Sequence, residues 1–553
     1  MNKRVADVVI IGAGAGGGAC AWALAQAGIQ VLVLDAGPSY DPYTDYLLDK
    51  PQWETLRFPD KLDATRDQVF APLQQLDPKL SHLRSWNHLM GQMVKGNRRQ
   101  AWGYQHVRGI GGSTLHFTGE AHRMNPASMQ MKTRFGVAAD WPLSYDELEP
   151  YYQQAEKVIG VAGSKKDHSR PRYSAFPLPP HPLSYASQKL GAGCQKLGMS
   201  WIPNSLAILS KPYDGRPQCN YCANCGRGCP RTDKGSVDVT FLRQAVATGN
   251  CTIMEQSTVT RLETDSSDKV SGIIYRDQQG QEQRLSPSIV VLAAGAVETP
   301  RLLLLSESTT APDGLANESG EVGKNFMETV AWISSGLASE ALGSHRGVTV
   351  DSICWDFNKP DAIPGVIGGC RFGAGPAEAD LVGPINYASR VVGGWGHSHK
   401  QRMRELFGRI QTVVSVGECL PNPGTFIDLS SEDRDPFGNP LARIHSQVEA
   451  AEIKRLEFMQ SKTRAILKAS GVEQLIEEYG SYDAFNATHV FGSCRMGTNP
   501  ETSVVNAFGR SHRWHNLYIA DASVFPSSGG GEGPSLTIEA LAIRTARHIK
   551  DAK

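Results

Sequence analysis

The stretch Val8–Asp35, VVIIGAGAGGGACAWALAQAGIQVLVLD, determines the fold class of this chain. Its β-branched start, Val8–Ile11, predicts a buried strand, and Val31–Leu34 predicts a second one. Between them, Ala19–Ala27 has the spacing of a helix that ends at Gly28. The order strand, glycine-rich turn, helix, strand is that of a βαβ unit, so the sequence predicts an α/β fold.

The turn of this unit carries the glycine spacing of a dinucleotide site. Gly12, Gly14 and Gly17 form a G-x-G-x-x-G pattern directly after the first strand. Glycines at these positions let the backbone approach a pyrophosphate, which the N-terminus of the helix then binds. Asp35 follows the second strand, where a carboxylate accepts hydrogen bonds from a ribose. We therefore predict a Rossmann-like nucleotide unit; a βαβ unit without a ligand is the alternative.

Composition excludes several classes of protein. Of the 553 residues 40% are hydrophobic, which is enough for large cores and excludes a disordered chain. Lys plus Arg and Asp plus Glu are both 56, so we expect no nucleic-acid partner. The uncharged run from Val8 is explained by the βαβ unit, so we expect neither a membrane span nor a signal peptide. The expected location is the cytoplasm, or the periplasm if a signal-bearing partner subunit exports the chain.

Four further segments share motifs with one family of enzymes. They are Arg108–Gly119 (RGIGGSTLHFTG), Gly295–Ser306 (GAVETPRLLLLS), Glu321–Glu328 (EVGKNFME) and Asn516–Gly529 (NLYIADASVFPSSG). Together with the βαβ unit they resemble the glucose–methanol–choline (GMC) family of FAD oxidoreductases over essentially the whole chain. The resemblance implies a Rossmann-like FAD-binding domain of the GMC type and a substrate domain made of an antiparallel β-sheet plus helices.

The resemblance also implies where an extended FAD would bind. The expected cofactor residues are Gly12, Gly14, Gly17 and Asp35 for the adenosine end, and Gly111, Gly112, Ser113, Asp521 and Pro534 for the rest. His116 lies where pyranose oxidases of the superfamily attach FAD covalently through a histidine. Two interpretations of His116 stay open, covalent attachment to FAD and simple packing near the dimethylbenzene ring.

A histidine near the C-terminus is the candidate catalytic base. His489 begins HVFGSCRMG, which resembles the family motif H-x-x-G-T-C-x-M. A neutral imidazole suits removal of a hydroxyl proton while hydride leaves the carbon. The family supplies a second His or Asn later in the chain, but here that position is Gly533. Glu532 is the candidate for binding a substrate hydroxyl, and the alternative for it is a loop carboxylate in contact with solvent.

Four cysteines form a separate candidate metal site. Cys219, Cys222, Cys225 and Cys229 have the spacing C-x2-C-x2-C-x3-C, followed by Pro230, as in bacterial ferredoxins. This spacing predicts a [3Fe–4S] or [4Fe–4S] cluster, and zinc or free thiols are the alternatives. A cluster would provide a one-electron exit from a two-electron flavin.

The family pattern predicts a discontinuous FAD-binding domain. It comprises residues 1–160, 230–330 and 480–553; residues 161–229 form a linker with the Cys cluster, and residues 331–479 form the substrate-binding domain.

The functional expectation is an FAD-dependent dehydrogenase that oxidises an alcohol group of a sugar or glycoside. His489 takes the proton, and the cysteine-ligated cluster passes electrons to a cytochrome c, with a small accessory subunit as a further partner. One alternative is an FAD alcohol oxidase that acts on long-chain or other apolar alcohols with O2. The other is a non-redox lyase or binding subunit on the same fold.

Overall fold

A computed structural model describes residues 6–55, 67–102, 104, 106–485 and 489–553. The α-helices within these residues are α1 (Ala15–Gln26), α2 (Pro42–Asp45), α3 (Met131–Phe135), α4 (Tyr145–Ile159), α5 (Tyr185–Lys196), α6 (Arg243–Ala247), α7 (Gly295–Leu305), α8 (Pro384–Tyr387), α9 (Gly396–Leu406), α10 (Ala450–Ala469) and α11 (Ser535–Asp551).

The strands within the same residues are β1 (Val8–Ile11), β2 (Val31–Leu34), β3 (Gln68–Phe70), β4 (Trp86–Asn87), β5 (Gly91–Gln92), β6 (Gln100–Ala101), β7 (Ile202–Pro203), β8 (Cys251–Met254), β9 (Thr258–Thr264), β10 (Val270–Arg276), β11 (Glu282–Leu285), β12 (Ile289–Leu292), β13 (Met327–Glu328), β14 (Val330–Ala338), β15 (Ser352–Cys354), β16 (Cys370–Ala374), β17 (Ile410–Gly417), β18 (Phe426–Arg434), β19 (Pro440–His445), β20 (Val472–Gly480), β21 (Ala484–Phe485), β22 (Val490–Phe491) and β23 (Leu517–Ile519).

A five-stranded parallel sheet forms the nucleotide-binding half. Its order is β23-β12-β1-β2-β8, and α1 packs against α11 beside it. Every residue of β1 and β2 is buried, as expected for strands covered on both faces. The predicted strands are confirmed, but α1 begins at Ala15 rather than Ala19. Position 16 of this helix requires glycine, because a Cβ there would lie only 1.6 Å from the Ala520 carbonyl oxygen.

An eight-stranded antiparallel sheet forms the other half. Its order is β5-β4-β20-β14-β17-β16-β15-β7, and α10 lies across β14 and β17. Trp332 and Phe372 of the sheet and Met459 of α10 belong to one buried apolar cluster between them. The predicted antiparallel sheet with helices is therefore confirmed.

Segments outside the expected substrate domain also build this sheet. Strand β7 pairs with β15, and α5 packs against α10, although both lie within 161–229. Strands β4 and β5 extend the opposite edge next to β20. The domain boundaries given above stay predictions. Within the described residues, no helix combines the length and the apolar composition that crossing a membrane requires.

Candidate active site

The first glycine turn is compressed to a degree that only glycine allows. Gly12 has φ +102°, and a Cβ on it would lie 2.4 Å from the Ala293 oxygen. A Cβ on Gly17 would lie 1.9 Å from the Gly12 oxygen. Gly14 is the N-cap of α1, and no side chain caps this end of the helix. The first N–H groups of α1 are therefore open to an anionic ligand such as a pyrophosphate.

Asp35 lies beside this turn, at the carboxyl end of β2. Its two carboxylate oxygens accept hydrogen bonds from the N–H groups of Ala13 and Gly37, each at 2.8 Å. Burial raises the pKa of Asp35 to about 6, against the opposing effect of these hydrogen bonds. The structure thus brings the predicted ribose-binding carboxylate next to the predicted pyrophosphate turn.

The second glycine loop lies directly against the first. Gly111 and Gly112 have φ of +110° and +53°, and a Cβ on Gly112 would lie 2.8 Å from the Gly14 Cα. Ser113 is exposed in the helical turn that follows. A side chain at Gly112 would fill the space between the two loops, so the residues present fit an extended dinucleotide such as FAD.

Asp238 is a candidate cofactor residue that the sequence analysis missed. Its Cβ lies 3.3 Å from the position that a Cβ on Gly111 would take. Its Oδ1 is buried without a hydrogen-bond partner, and burial raises the pKa of the carboxyl group. This oxygen can accept a bond from a cofactor hydroxyl. No motif marks Asp238, because only the folded chain brings it to the second glycine loop.

Asp521 joins the end of β23 to the start of α7. One carboxylate oxygen accepts bonds from the Gly295 N–H at 3.0 Å and the Thr299 hydroxyl at 2.6 Å. The other accepts from the Ser523 N–H at 2.8 Å, and burial raises the pKa of the group. Asp521 therefore caps its own turn and the N-terminus of α7 beside the first glycine turn.

His116 and Lys234 connect the second glycine loop to the cysteine segment. The Nδ1 of His116 lies 2.6 Å from the Gly226 oxygen, so this nitrogen carries the proton and donates it. The buried ammonium of Lys234 donates to the carbonyls of Leu115, Phe117 and Cys225 at 2.9, 3.0 and 2.7 Å. The loop and the cysteine segment therefore form one hydrogen-bonded unit.

The four cysteine thiols of this unit lie close enough to interact electrostatically, but they differ in exposure. Cys219 and Cys225 are buried, Cys229 is half-buried and Cys222 is exposed. Within the residues that the structure describes, no three His, Cys, Asp or Glu side chains form a group that could hold a metal ion. The ligand set predicted from the spacing is therefore not supported.

The backbone around Cys222 has an uncommon conformation, and the Cys229 thiol has a hydrogen-bond partner within the chain. Tyr221 and Ala223, which flank Cys222, have left-handed φ of 61° and 59°. The Cys229 thiol donates to Asp233 at 3.3 Å, and burial raises its pKa to about 11.

His489 lies at the start of β22, next to the antiparallel sheet. Its carbonyl accepts a bond from the Thr329 N–H at 3.1 Å, and its side chain is partly exposed. Desolvation lowers the pKa of His489 to about 4, with Arg371 and His122 acting in the same direction and Glu120 in the opposite one. The imidazole is therefore neutral at neutral pH and able to accept a proton.

Glu532 is buried, so its interpretation as a solvent-facing loop carboxylate is wrong. Its Oε1 accepts bonds from Arg170 at 2.5 Å and from the Asn125 N–H and the Asn358 amide at 3.1 Å each. Its Oε2 is buried without a hydrogen-bond partner. Glu532 is thus anchored by one oxygen and has the other available.

A second polar group beside Glu532 was missed by the sequence analysis. Arg371, on β16, pairs with Glu120 and donates to the Gly531 oxygen at 2.8 Å, while its Nη1 has no hydrogen-bond partner. Pro534 is the N-cap of α11, which begins just after this group without a side-chain cap. No local motif marks Glu120 or Arg371, which are brought together only by the fold.

Family models match most of the chain. Two models described as GMC oxidoreductase match residues 106–331 and 421–542. A model described as an NAD(P)-binding Rossmann-like domain matches residues 10–40, which contain the first glycine turn.

Similar proteins match over nearly their full length. The fructose dehydrogenase large subunit of Gluconobacter japonicus is 30% identical, over 98% of this chain and 97% of its own. The 2-methyl-1,2-propanediol dehydrogenase of Mycolicibacterium austroafricanum is 28% identical, over 98% and 95%. The crystal structure of pyridoxine 4-oxidase from Mesorbium loti shares the fold, with a TM-score of 0.65 at 19% identity over 98% and 99%. The chain described here belongs to the GMC oxidoreductase family.

Proposed function

We propose that this chain is an FAD-dependent dehydrogenase that oxidises an alcohol group of a sugar or glycoside. The observation that carries the proposal is a neutral, partly exposed His489 beside the buried pair Glu120–Arg371. The residues of the two glycine turns and Asp238 would hold FAD, which supplies hydride acceptance when bound. The relatives named as dehydrogenases of fructose and of a diol support this choice.

The chain's own residues provide the proton chemistry. His489 accepts the hydroxyl proton as a general base, which requires its neutral form. Helix α11 begins after Pro534 with no side chain on its first N–H groups, so its positive end favours negative charge nearby. Both effects favour removal of the proton from an alcohol hydroxyl and of hydride from the carbon that bears it.

The polarity around His489 favours a polyhydroxylated substrate over an apolar one. Buried Arg and Glu side chains lie within this region, and two of their polar atoms, the Arg371 Nη1 and the Glu532 Oε2, lack hydrogen-bond partners. A hydrogen bond from a substrate hydroxyl stabilises such an atom, whereas a hydrocarbon chain would leave it buried without a partner. A long-chain alcohol oxidase is therefore the weaker proposal.

Anaerobic bleaching of bound flavin tests the proposal. We expect bleaching by members of a panel of free sugars and alkyl glycosides, and slower or no bleaching by long-chain alcohols. Replacement of His489 by Ala is expected to lower the bleaching rate about 100-fold or more while FAD stays bound. Bleaching by no sugar would contradict the substrate class, and rapid O2 consumption with a fatty alcohol would favour the oxidase.

The electron acceptor is part of the same proposal. We propose a cytochrome c and a small accessory subunit, supported by the relative that is named as a large subunit. A cluster at Cys219, Cys222, Cys225 and Cys229 stays a prediction from their spacing. The test is iron and acid-labile sulfide per flavin in anaerobically purified protein, where about three or four of each would establish it. Absence of iron would leave the proposed flavin chemistry intact and would exclude the cluster as the route for electrons.

Two further expectations have direct tests. Covalent attachment of FAD through His116 predicts flavin that stays with acid-precipitated protein and is released in the His116→Ala variant. Location in the cytoplasm, or in the periplasm by export with a partner subunit, is tested by fractionation of the native host, with and without that subunit.

A further inference from the structure

Position 533 lacks a side chain, and other side chains fill the space. A Cβ built on Gly533 would lie 3.3 Å from the Glu120 Cβ and 3.6 Å from the Nδ1 of His122. Both neighbours are buried, His122 to 1% exposure. Gly533 has no left-handed φ, so its backbone does not require a glycine. Contact with Glu120 and His122 therefore explains why position 533 is a glycine.

The hydrogen bonds of His122 define its tautomer. The Asn204 amide donates both of its N–H groups, one to the Glu120 carboxylate at 3.0 Å and one to the Val350 oxygen at 3.1 Å. The amide oxygen therefore faces the Nε2 of His122 at 2.8 Å and accepts its proton. The Nδ1 is then an acceptor, and it takes the Gly533 N–H at 2.9 Å.

Packing holds the imidazole in this position. The ring meets the Trp355 ring edge-on at 4.8 Å between centroids. Arg170, the partner of Glu532, lies 4.8 Å from the same Trp355 ring. His122 is thus enclosed by Trp355, Asn204 and the loop that leads into α11.

We propose that His122 takes the place of the side chain that is absent from position 533 and, as a positioning residue, holds the turn before α11 in register with His489. This role in the reaction rests on the proposed function. The placement itself rests only on the contacts above.

His122 does not act as a second base. Both of its nitrogens are engaged, and burial together with Arg371 and Arg170 lowers its pKa to about 3, with Asp167 opposing them. A neutral ring of fixed tautomer leaves His489 as the proton acceptor. It also keeps a positive charge away from His489, with which His122 interacts electrostatically.

A compensation experiment on the melting temperature tests the placement. The variants are His122→Ala, Gly533→Asn and the double variant, measured without added substrate. Gly533→Asn alone is expected to lower the melting temperature because its side chain meets Glu120 and His122. In the His122→Ala background the same change is expected to be less destabilising, because only the contact with Glu120 remains. Equal effects of Gly533→Asn in both backgrounds would overturn the proposal.

Flavin reduction by substrate tests the role. His122→Ala is expected to slow it about 10- to 100-fold, since small misplacements of reacting groups cost that much. His122→Asn retains an acceptor near the Nδ1 position and is expected to stay within about threefold of wild type, whereas His122→Gln, whose polar end lies farther out, is expected to be slow. The double variant is expected to be faster than His122→Ala.

The control is His181→Ala, a buried histidine bonded to the Ile208 oxygen at 2.9 Å. It is expected to leave the rate of flavin reduction unchanged. Equal rates for the Asn and Gln variants would overturn the positioning role, and this contrast decides it if His122→Ala does not fold. If no alcohol reduces wild-type flavin, the proposed function fails, while the melting experiment still decides whether His122 occupies the place of a side chain at 533.

Discussion

Burial determines which single residues of the site carry charge. Desolvation is the main cause that lowers the pKa of His489 to about 4 and raises that of Glu418 to about 7. Arg455 opposes this shift in Glu418, and Glu532 adds to it. At neutral pH the site therefore holds a neutral histidine next to the buried ionic pair Glu120–Arg371. This distribution suits a base whose one task is to accept a proton.

The pH dependence of flavin reduction follows from His489. The neutral form is active, so protonation as the pH falls removes activity. Because the pKa of the folded form is about 4, we expect a rate that is constant from about pH 6 to 8 and declines below about pH 5. Stopped-flow absorbance of the flavin across this range measures it. A decline centred near pH 6.5, the value for a solvated histidine, would contradict the assignment.

The Arg170–Glu532 pair is expected to be important for stability. Replacement of Arg170 by Met leaves a buried carboxylate without its cation, which costs about 3–5 kcal/mol in free energy of unfolding. Chemical denaturation measures the change. Arg547→Met, which breaks an exposed ion pair with Asp551, is the control and should have little effect. Equal effects of the two substitutions would show that burial does not strengthen the inner pair's contribution.

At the scale of elements, glycines set how closely α1 approaches the strand ends. Gly16 lies against the Ala520 backbone at the end of β23, and Gly17 lies against Gly12 of the turn. Gly14 has only the Gly112 Cα within 4 Å, at 3.9 Å from its would-be Cβ. Gly16 and Gly17 are therefore needed for packing, whereas Gly14 borders open space between the glycine loops.

Two alanine substitutions in the same turn are expected to separate folding from cofactor binding. Gly16→Ala should lower the melting temperature of the flavin-free protein, because its methyl group meets backbone that cannot move aside. Gly14→Ala should leave that temperature unchanged but weaken FAD binding about tenfold or more, because the pyrophosphate needs this approach. Thermal melting and flavin titration measure the two effects. A destabilised Gly14→Ala variant would contradict this division.

At the scale of the whole molecule, hydrogen bonds of buried groups attach the cysteine segment to the nucleotide-binding half. Lys234 has a buried ammonium that three carbonyls share, and His116 donates to Gly226. Strand β7, earlier in the same region, continues the antiparallel sheet. These hydrogen bonds therefore connect the second glycine loop to the cysteine segment, in which Cys222 is exposed.

Loss of the Lys234 charge is expected to loosen this connection. In Lys234→Met the carbonyls of Leu115, Phe117 and Cys225 lose a shared donor, which is costly for buried groups. We expect Cys225, which is buried in wild type, to react faster with a maleimide. Mass spectrometry of labelled peptides gives the rate, and Lys454→Met on the exposed side of α10 is the control. An unchanged rate at Cys225 would contradict the role of Lys234.

The nucleotide-binding βαβ unit could be predicted from sequence because its determinants are local. Two continuous apolar strands, a helical stretch and the glycines of a short turn all lie within fewer than about 30 residues. The motif around His489 is local too, and the base that it predicts stays a prediction. The antiparallel sheet could be anticipated, but β4, β5 and β7 could not, since two-residue strands have no periodicity to detect.

The polar surroundings of His489 depend on contacts between residues that are hundreds of positions apart. Glu120, Arg371 and Gly533 come from three separate parts of the chain, and no spacing relates them. Likewise, the cysteine spacing predicts a cluster, but among the described residues the folded chain forms no group of three side chains that could hold a metal ion. The sequence by itself determined the nucleotide fold, because the determinants of the βαβ unit lie within one short stretch, and it predicts His489 as the base. Only the tertiary structure decided what surrounds them, because burial and long-range packing position those groups and set their charge.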